Sequence, residues 1–138
     1  MMKLPAFVNK VLCMPFVARG RDYEGGDCWA VVWLFYRDVL GRDLPAYDTG
    51  YATAGASAVD RSMVGRIMIR ERVKWEQTDA PRLGDVVLLR CSGAACHVGV
   101  MIDSKRFLHI EDRRGATVES LTAPIWQRRC EGVYRFAA

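Results

Sequence analysis

Histidine is scarce in this chain, with two among 138 residues, and no apolar run approaches the length of a membrane span. The longest run lies within Cys28–Tyr36, far short of the ~20 residues a membrane-crossing helix needs. No repeat or low-complexity stretch is visible. No basic–aromatic stripe of the kind that grips single-stranded nucleic acid occurs either. A secretory leader is not expected, because Lys10 interrupts the apolar part of Met1–Met14 and no small-x-small cleavage site follows. These absences predict a protein made in a cytoplasm, with no membrane span and no nucleic-acid specificity. Basic residues exceed acidic ones by 20 to 16, but they are scattered, which weakens any polyanion reading. What the chain does have is 51% apolar and 26% charged residues, the balance of one globular domain with a real core.

Five cysteines are present: Cys13, Cys28, Cys91, Cys96 and Cys130. An odd count at irregular spacing, without a leader, argues against a disulfide framework. Cys13, Cys91, Cys96 and Cys130 read as small apolar filler. A zinc site from Cys91, Cys96, His97 and His109 is permitted by spacing. It is disfavoured because Cys96 and His97, neighbours on a strand, should face opposite sides. No metal or cofactor is expected.

Along the chain, Met1–Arg21 reads as a short, partly helical arm and Gly20–Asp27 as a turn-rich loop. Cys28–Leu40 follows as the strongest helix, apolar almost all round and therefore buried. Asp27 stands at its N-cap position and Gly41 at its stop. Leu44–Gly55 is irregular, and Ser57–Val73 has a second helical pattern. After Pro81 the texture turns to strands: Asp85–Cys91, His97–Ile102, Arg106–Glu111, Ala116–Glu119 and Gly132–Phe136. Asp103-Ser104-Lys105 reads as a hairpin turn. Helices first and an antiparallel meander second make an α+β layout.

The chemistry centres on Cys28. A helix start after a Gly-rich loop offers unpaired N–H groups and about half a positive charge, which favours a thiolate and supplies oxyanion donors. A cysteine nucleophile needs a base, and both histidines fall on neighbouring strands. A diagonal or bulged pairing about the Asp103-Ser104 turn would bring His97 and His109 onto one face. His97 is the expected base and His109 the group that orients it, with Gly99 leaving room beside the base.

Gly26-Asp27-Cys28-Trp29, Val31-Val32-Trp33-Leu34-Phe35-Tyr36-Arg37, Leu40-Gly41 and Leu44-Pro45-Ala46-Tyr47 resemble the nucleophile segment of NlpC-type cell-wall peptidases. The phage-associated subgroup, in which Trp often follows the nucleophile, is the most similar. Arg82-Leu83-Gly84-Asp85-Val86-Val87, Cys96-His97-Val98-Gly99-Val100, Arg106-Phe107-Leu108-His109, Trp126 and Gly132-Val133-Tyr134-Arg135 resemble its later strands and C-terminal end. Trp29 and Ala30 stand where the commoner family form has Ser and Gly. The resemblance implies a papain-like α+β domain over residues 21–138 after an N-terminal arm at 1–20. It implies a Cys28–His97–His109 triad, with Tyr23 and Asp27 on the substrate or oxyanion side. It also implies hydrolysis of an amide bond in peptidoglycan stem peptides, commonly the D-glutamyl–diaminopimelate link. For the phage subgroup it implies a place in the virion, at the tail tip beside other tail-tip or hub proteins, opening the wall as DNA enters. A structural tail-hub plug with the same residues and no hydrolysis is the alternative, and deamidation or acyl transfer on the same triad a third.

Overall fold

The computed structural model describes residues 1–49, 58–91 and 93–136. Helix α1 (Leu4–Leu12) has Pro5 in its first turn, where a missing N–H costs nothing. Phe7 and Val11, one turn apart, are both fully buried, and the Phe7 ring meets the edge of Phe35 at 5.5 Å. The expected arm is thus partly helical, and its apolar stripe enters the core. The expected loop holds a small hairpin, β1 (Arg21–Asp22) against β2 (Gly25–Gly26). Gly26 is required there, because a Cβ would lie 2.5 Å from the Cβ of Ala30.

Helix α2 (Cys28–Phe35) begins where Asp27 caps it, the carboxylate accepting from the Ala30 N–H at 3.3 Å. The expected single helix to Leu40 instead widens into a π turn over Tyr36–Leu40, closed by Gly41 at φ 66°. The wider turn accompanies two ties on Tyr36. Its hydroxyl donates to the Gly84 carbonyl, and its own carbonyl accepts from the Arg42 N–H. Helix α3 (Ala58–Glu71) runs on into a 3-10 turn at Arg72–Lys74. Of the expected irregular segment Leu44–Gly55, residues 50–55 lie outside the described residues, as does Ser57.

Six antiparallel strands form the sheet: β3 (Trp75–Gln77), β4 (Val86–Cys91), β5 (Ala94–Met101), β6 (Arg106–Glu111), β7 (Gly115–Ser120) and β8 (Cys130–Phe136). Their spatial order is β3-β8-β4-β5-β6-β7. β4 to β7 make the expected meander, and β8 returns beside β4. β3 and helix α4 (Pro124–Arg129) carry too few residues for a periodic pattern and are held by tertiary contact. Trp75 stacks on Phe136 at 5.0 Å, and Trp126 meets the Phe107 ring at 5.3 Å.

Strand alternation divides the core in two. Val86, Leu88, Val98, Val100, Leu108 and Ile110 face α1 and α2. Val87, Leu89, Met101, Phe107 and Val133 face Trp126. The architecture is the α+β arrangement expected, one buried helix on an antiparallel sheet.

Cys91 and Cys96 form a disulfide, with Cα atoms 5.7 Å apart. This corrects the reading of both as unpaired filler. Leu89 pairs with His97 and Arg90 with Ala95, so Cys96 is the extra residue of a bulge in β5. The bulge turns it to Cys91, a displacement invisible to spacing arguments. It also removes two thiolates from any zinc set.

Candidate functional site

The loop before α2 is built around a buried carboxylate. Asp27 is fully buried. It accepts from the Arg21 guanidinium at 2.7 Å and from the Arg19 N–H at 2.8 Å, besides capping the helix. Arg21 reaches further, donating to the carbonyls of Ala46 at 2.7 Å and Tyr47 at 3.1 Å. The indole N–H groups of Trp29 and Trp33 donate to the Pro45 and Leu44 carbonyls. Asp27 is therefore an internal brace: it fastens the loop before α2 to the segment that carries Tyr47. Arg21 and Tyr47 were not singled out as site residues from sequence, since nothing in their spacing shows that one guanidinium spans two loops.

Cys28, at the head of α2, is 4% exposed. Burial pushes its thiol up to about 12, and the Asp27 carboxylate adds to the rise; hydrogen bonds from the Val98 and Trp29 N–H groups and the Arg21 charge pull the other way. The expected lowering by the helix start is outweighed by desolvation, so the resting sulfur is a thiol. A cleft of about 60 Å³ opens on it, lined by Trp29, Tyr47, Trp75, Val98 and Tyr134 among others, with Glu71 contributed from the end of α3 and Arg72 from the 3-10 turn that follows.

Tyr23 does not line this cleft. Its hydroxyl donates to Asp38 at 2.6 Å, and its ring sits under the Lys10 ammonium and against Phe7. That hydroxyl is committed to a carboxylate away from Cys28. Phe16, paired with Gly26, is the aromatic residue bridged to the loop before α2, and it carries no hydroxyl.

The two histidines do meet. His97 Nε2 and His109 Nδ1 lie 2.8 Å apart, with the rings edge to face at 5.1 Å. The register of β5 on β6 pairs Val100 with Leu108, which sets the rings diagonally across the hairpin. Gly99 makes this possible, since a Cβ there would sit 2.8 Å from the Phe107 ring and 3.3 Å from the His109 Cβ. His109 is walled by Phe107 and Trp126. Burial, with the nearby Arg129 and Arg114 charges, lowers His109 to about 4. Burial, then the charges of His109 and Arg129, hold His97 well below the ordinary imidazole value. Both rings are neutral at pH 7. Beyond His109, its Nε2 lies 3.1 Å from Thr117 Oγ1, and that hydroxyl donates to Glu119 Oε2 at 3.2 Å. Thr117 and Glu119 were missed from sequence, although Thr117 is the cross-strand partner of His109 and follows once the β6–β7 register is known.

Cys28 packs with Val98, while His97, one residue back along β5, turns its ring to His109. Among the described residues no hydrogen bond joins the sulfur to His97. Nε2 of His97 is occupied by His109, and Nδ1 has no partner among the described residues. No buried side-chain nitrogen or oxygen among them lacks one, so Nδ1 reaches accessible space and is the nitrogen left to receive a proton. His97, His109 and Glu111 offer three ligand atoms within 4.8 Å. However, the imidazoles already bond to each other, and the Arg129 guanidinium stands 3.9 Å from Glu111, a poor neighbour for a cation.

The NlpC/P60 family profile matches residues 13–135. Murein DD-endopeptidase MepS/Murein LD-carboxypeptidase of Escherichia coli K12 is 26% identical over 110 residues, which are 80% of this chain and 49% of that protein. The chain spans about half the length of the curated relatives it matches. A Staphylococcus aureus protein described as similar to lipoprotein of the NLP/P60 family superposes with a TM-score of 0.64 at 19% identity, over 97% of this chain and 40% of that one. The NlpC/p60 domain of peptidoglycan hydrolase SagA does so with a TM-score of 0.59 at 18% identity, over 94% and 93%. With the papain-like α+β fold, the capped cysteine helix and a profile match over most of its length, the chain belongs to the NlpC/P60 family.

Proposed function

We propose that this chain is a cysteine hydrolase that cleaves an amide bond in peptidoglycan stem peptides, with the D-glutamyl–diaminopimelate link as the preferred bond. The observation that carries this reading is a cysteine that opens a cleft at the head of a capped, buried helix and packs on Val98 of β5, the residue next to His97, whose ring is hydrogen-bonded to His109. Similarity to a murein endopeptidase supports the substrate class. Trp29 after the nucleophile supports a phage tail-tip protein that acts on the wall from the virion as DNA enters. Its detection in purified tails by mass spectrometry is the expected outcome, and its absence from them would remove that part.

In the reaction, Cys28 gives its proton to His97 Nδ1, and the thiolate attacks the scissile carbonyl carbon. The oxyanion accepts from the Cys28 backbone N–H. The tetrahedral intermediate collapses, and His97 protonates the departing amine. His97 then takes a proton from water, whose hydroxide opens the thioester and frees the carboxylate and the thiol. The resting sulfur and His97 share no hydrogen bond, so the proton transfer requires them to close to hydrogen-bond reach. Muropeptide release from purified sacculi should fall at least about 10⁴-fold in Cys28→Ala; equal release by both proteins ends the reading.

One observation favours the second reading, a tail-hub plug of the same fold. The sulfur is buried and protonated, with no bond to the base. Selective alkylation of Cys28 near neutral pH supports the hydrolase, whereas an inert thiol together with intact sacculi supports the plug.

A further inference from the structure

The chain of contacts beyond His109 has a direction. A carboxylate only accepts, so the Thr117 hydroxyl proton goes to Glu119 Oε2. The Thr117 oxygen, 3.1 Å from His109 Nε2, is left with lone pairs on that side, so Nε2 carries the hydrogen. A neutral His109 protonated on Nε2 has a bare Nδ1. That atom faces His97 Nε2 at 2.8 Å and accepts from it. A neutral His97 protonated on Nε2 in turn has a bare Nδ1, which is the nitrogen without a partner among the described residues. Each link fixes the next, and the sequence of four groups ends in one basic lone pair.

We propose that Thr117 and Glu119 are positioning residues that set the tautomers of both histidines, so that His97 presents Nδ1 as an unprotonated base. The inference rests on the hydrolase reading for its catalytic consequence, whereas the tautomers follow from the contacts of two neutral rings. Thr117 sits directly across from His109 in the β6–β7 pairing, and Glu119 lies two residues further along β7 on the same side of the strand. The low proton affinity of both rings, which burial causes, keeps them neutral and so keeps the relay's polarity defined. The alternative polarity, with Nδ1–H on both rings, needs the Thr117 hydroxyl to donate to His109 and leaves Glu119 without that donor. It would also protonate the very nitrogen the sulfur needs.

Ring-nitrogen spectra of ¹⁵N-labelled full-length protein near pH 7 test this without reference to activity. Both native histidines should carry hydrogen on Nε2. Thr117→Val, which keeps the shape and loses the hydroxyl, should shift both rings toward mixed tautomers. It should lower kcat on sacculus-derived peptides by about 10- to 100-fold with KM unchanged, and Thr117→Ser should restore both. Glu119→Gln lets an amide N–H donate to Thr117, so the relay reverses and Nδ1–H appears on both rings. Cys28→Ala should keep the native ring spectra; if it also keeps full activity, the hydrolase reading fails and the tautomer assignment stands. Native spectra in Thr117→Val or Glu119→Gln, Nδ1–H in the native chain, or changed spectra with undiminished kcat would each overturn the proposal.

Discussion

The two ends of the proposed reacting pair are built in opposite ways. The sulfur end is local: Arg19, Arg21, Gly26, Asp27, Cys28 and Ala30 fall within twelve positions of sequence, and one buried carboxylate ties most of them together. The imidazole end is assembled from three strands, with His97 on β5, His109 on β6, and Thr117 and Glu119 on β7. The local end depends on a single charged hub. The assembled end depends on register, on a glycine at the point of closest approach, and on a hydrogen-bond chain. A local hub concentrates the cost of failure in one residue, whereas a distributed site spreads it.

The largest stability effect should therefore come from the hub. Removing one member of a buried ion pair strands the other. Asp27→Ala leaves the Arg21 guanidinium, 9% exposed at its side chain, without its carboxylate and takes the cap from α2. A loss of about 3–5 kcal/mol is expected, lowering the thermal midpoint by about 10–20 °C. Calorimetry checks it. A loss no greater than that of an ordinary surface substitution would show that the loop does not hang on Asp27, and the contrast between the two ends would be gone.

The imidazole end should announce itself through acid. His109 has its proton affinity lowered from 6.5 to about 4, first by burial and then by the Arg129 and Arg114 charges. Glu111 and Glu119 carboxylates approach it at 3.7 and 3.9 Å without reversing this direction. Between those two pH values the unfolded chain binds a proton that the folded chain refuses. Stability thus rises with pH across the window and levels off above it. His97 is displaced the same way. Taking the protein from pH 7 to pH 4 should cost up to about 3 kcal/mol from His109. Urea unfolding at a series of pH values measures it, and His109→Gln should flatten the slope between pH 4 and 6.5. A slope that survives that substitution unchanged would place the acid sensitivity elsewhere.

The same contrast explains what could be read from sequence. Asp27 as cap, Cys28 as the first residue of a buried helix and Gly41 as its terminus follow from local rules that a string of residues displays. The pairing of the two histidines followed from one short turn, Asp103-Ser104-Lys105, where the Asp103 carboxylate accepts from the Lys105 and Arg106 N–H groups. Thr117 and Glu119 stayed hidden because their role needs the β6–β7 register. The Cys91–Cys96 bond stayed hidden because a bulge moves Cys96 out of strand alternation. Tyr23 lay near Cys28 in sequence, but a two-strand hairpin and Asp38 carry its hydroxyl elsewhere. The raised thiol of Cys28 was missed for a different reason. A helix start is visible in sequence, whereas the depth at which it is buried is set by Val98 and the rest of the sheet.

The disulfide offers the smallest and most discriminating change. It joins the end of β4 to the residue just before His97, so it is a covalent tie at the assembled end and absent from the local one. Closing so short a loop restricts the unfolded chain only modestly, and Cys91→Ser with Cys96→Ser should cost about 2 kcal/mol by loop-closure entropy. Thermal unfolding of that double variant, beside native protein with and without reductant, measures it, and reduction should reproduce the substitutions. Because β5 is held on both sides by β4 and β6, the His97–His109 contact should survive, and the ring-nitrogen spectra should keep their native tautomers. A loss as large as that of Asp27→Ala, or a change in the His97 ring, would mean that the imidazole end also hangs on a single link. The distinction between a hub and a distributed site would then have to be redrawn around the β4–β5 turn.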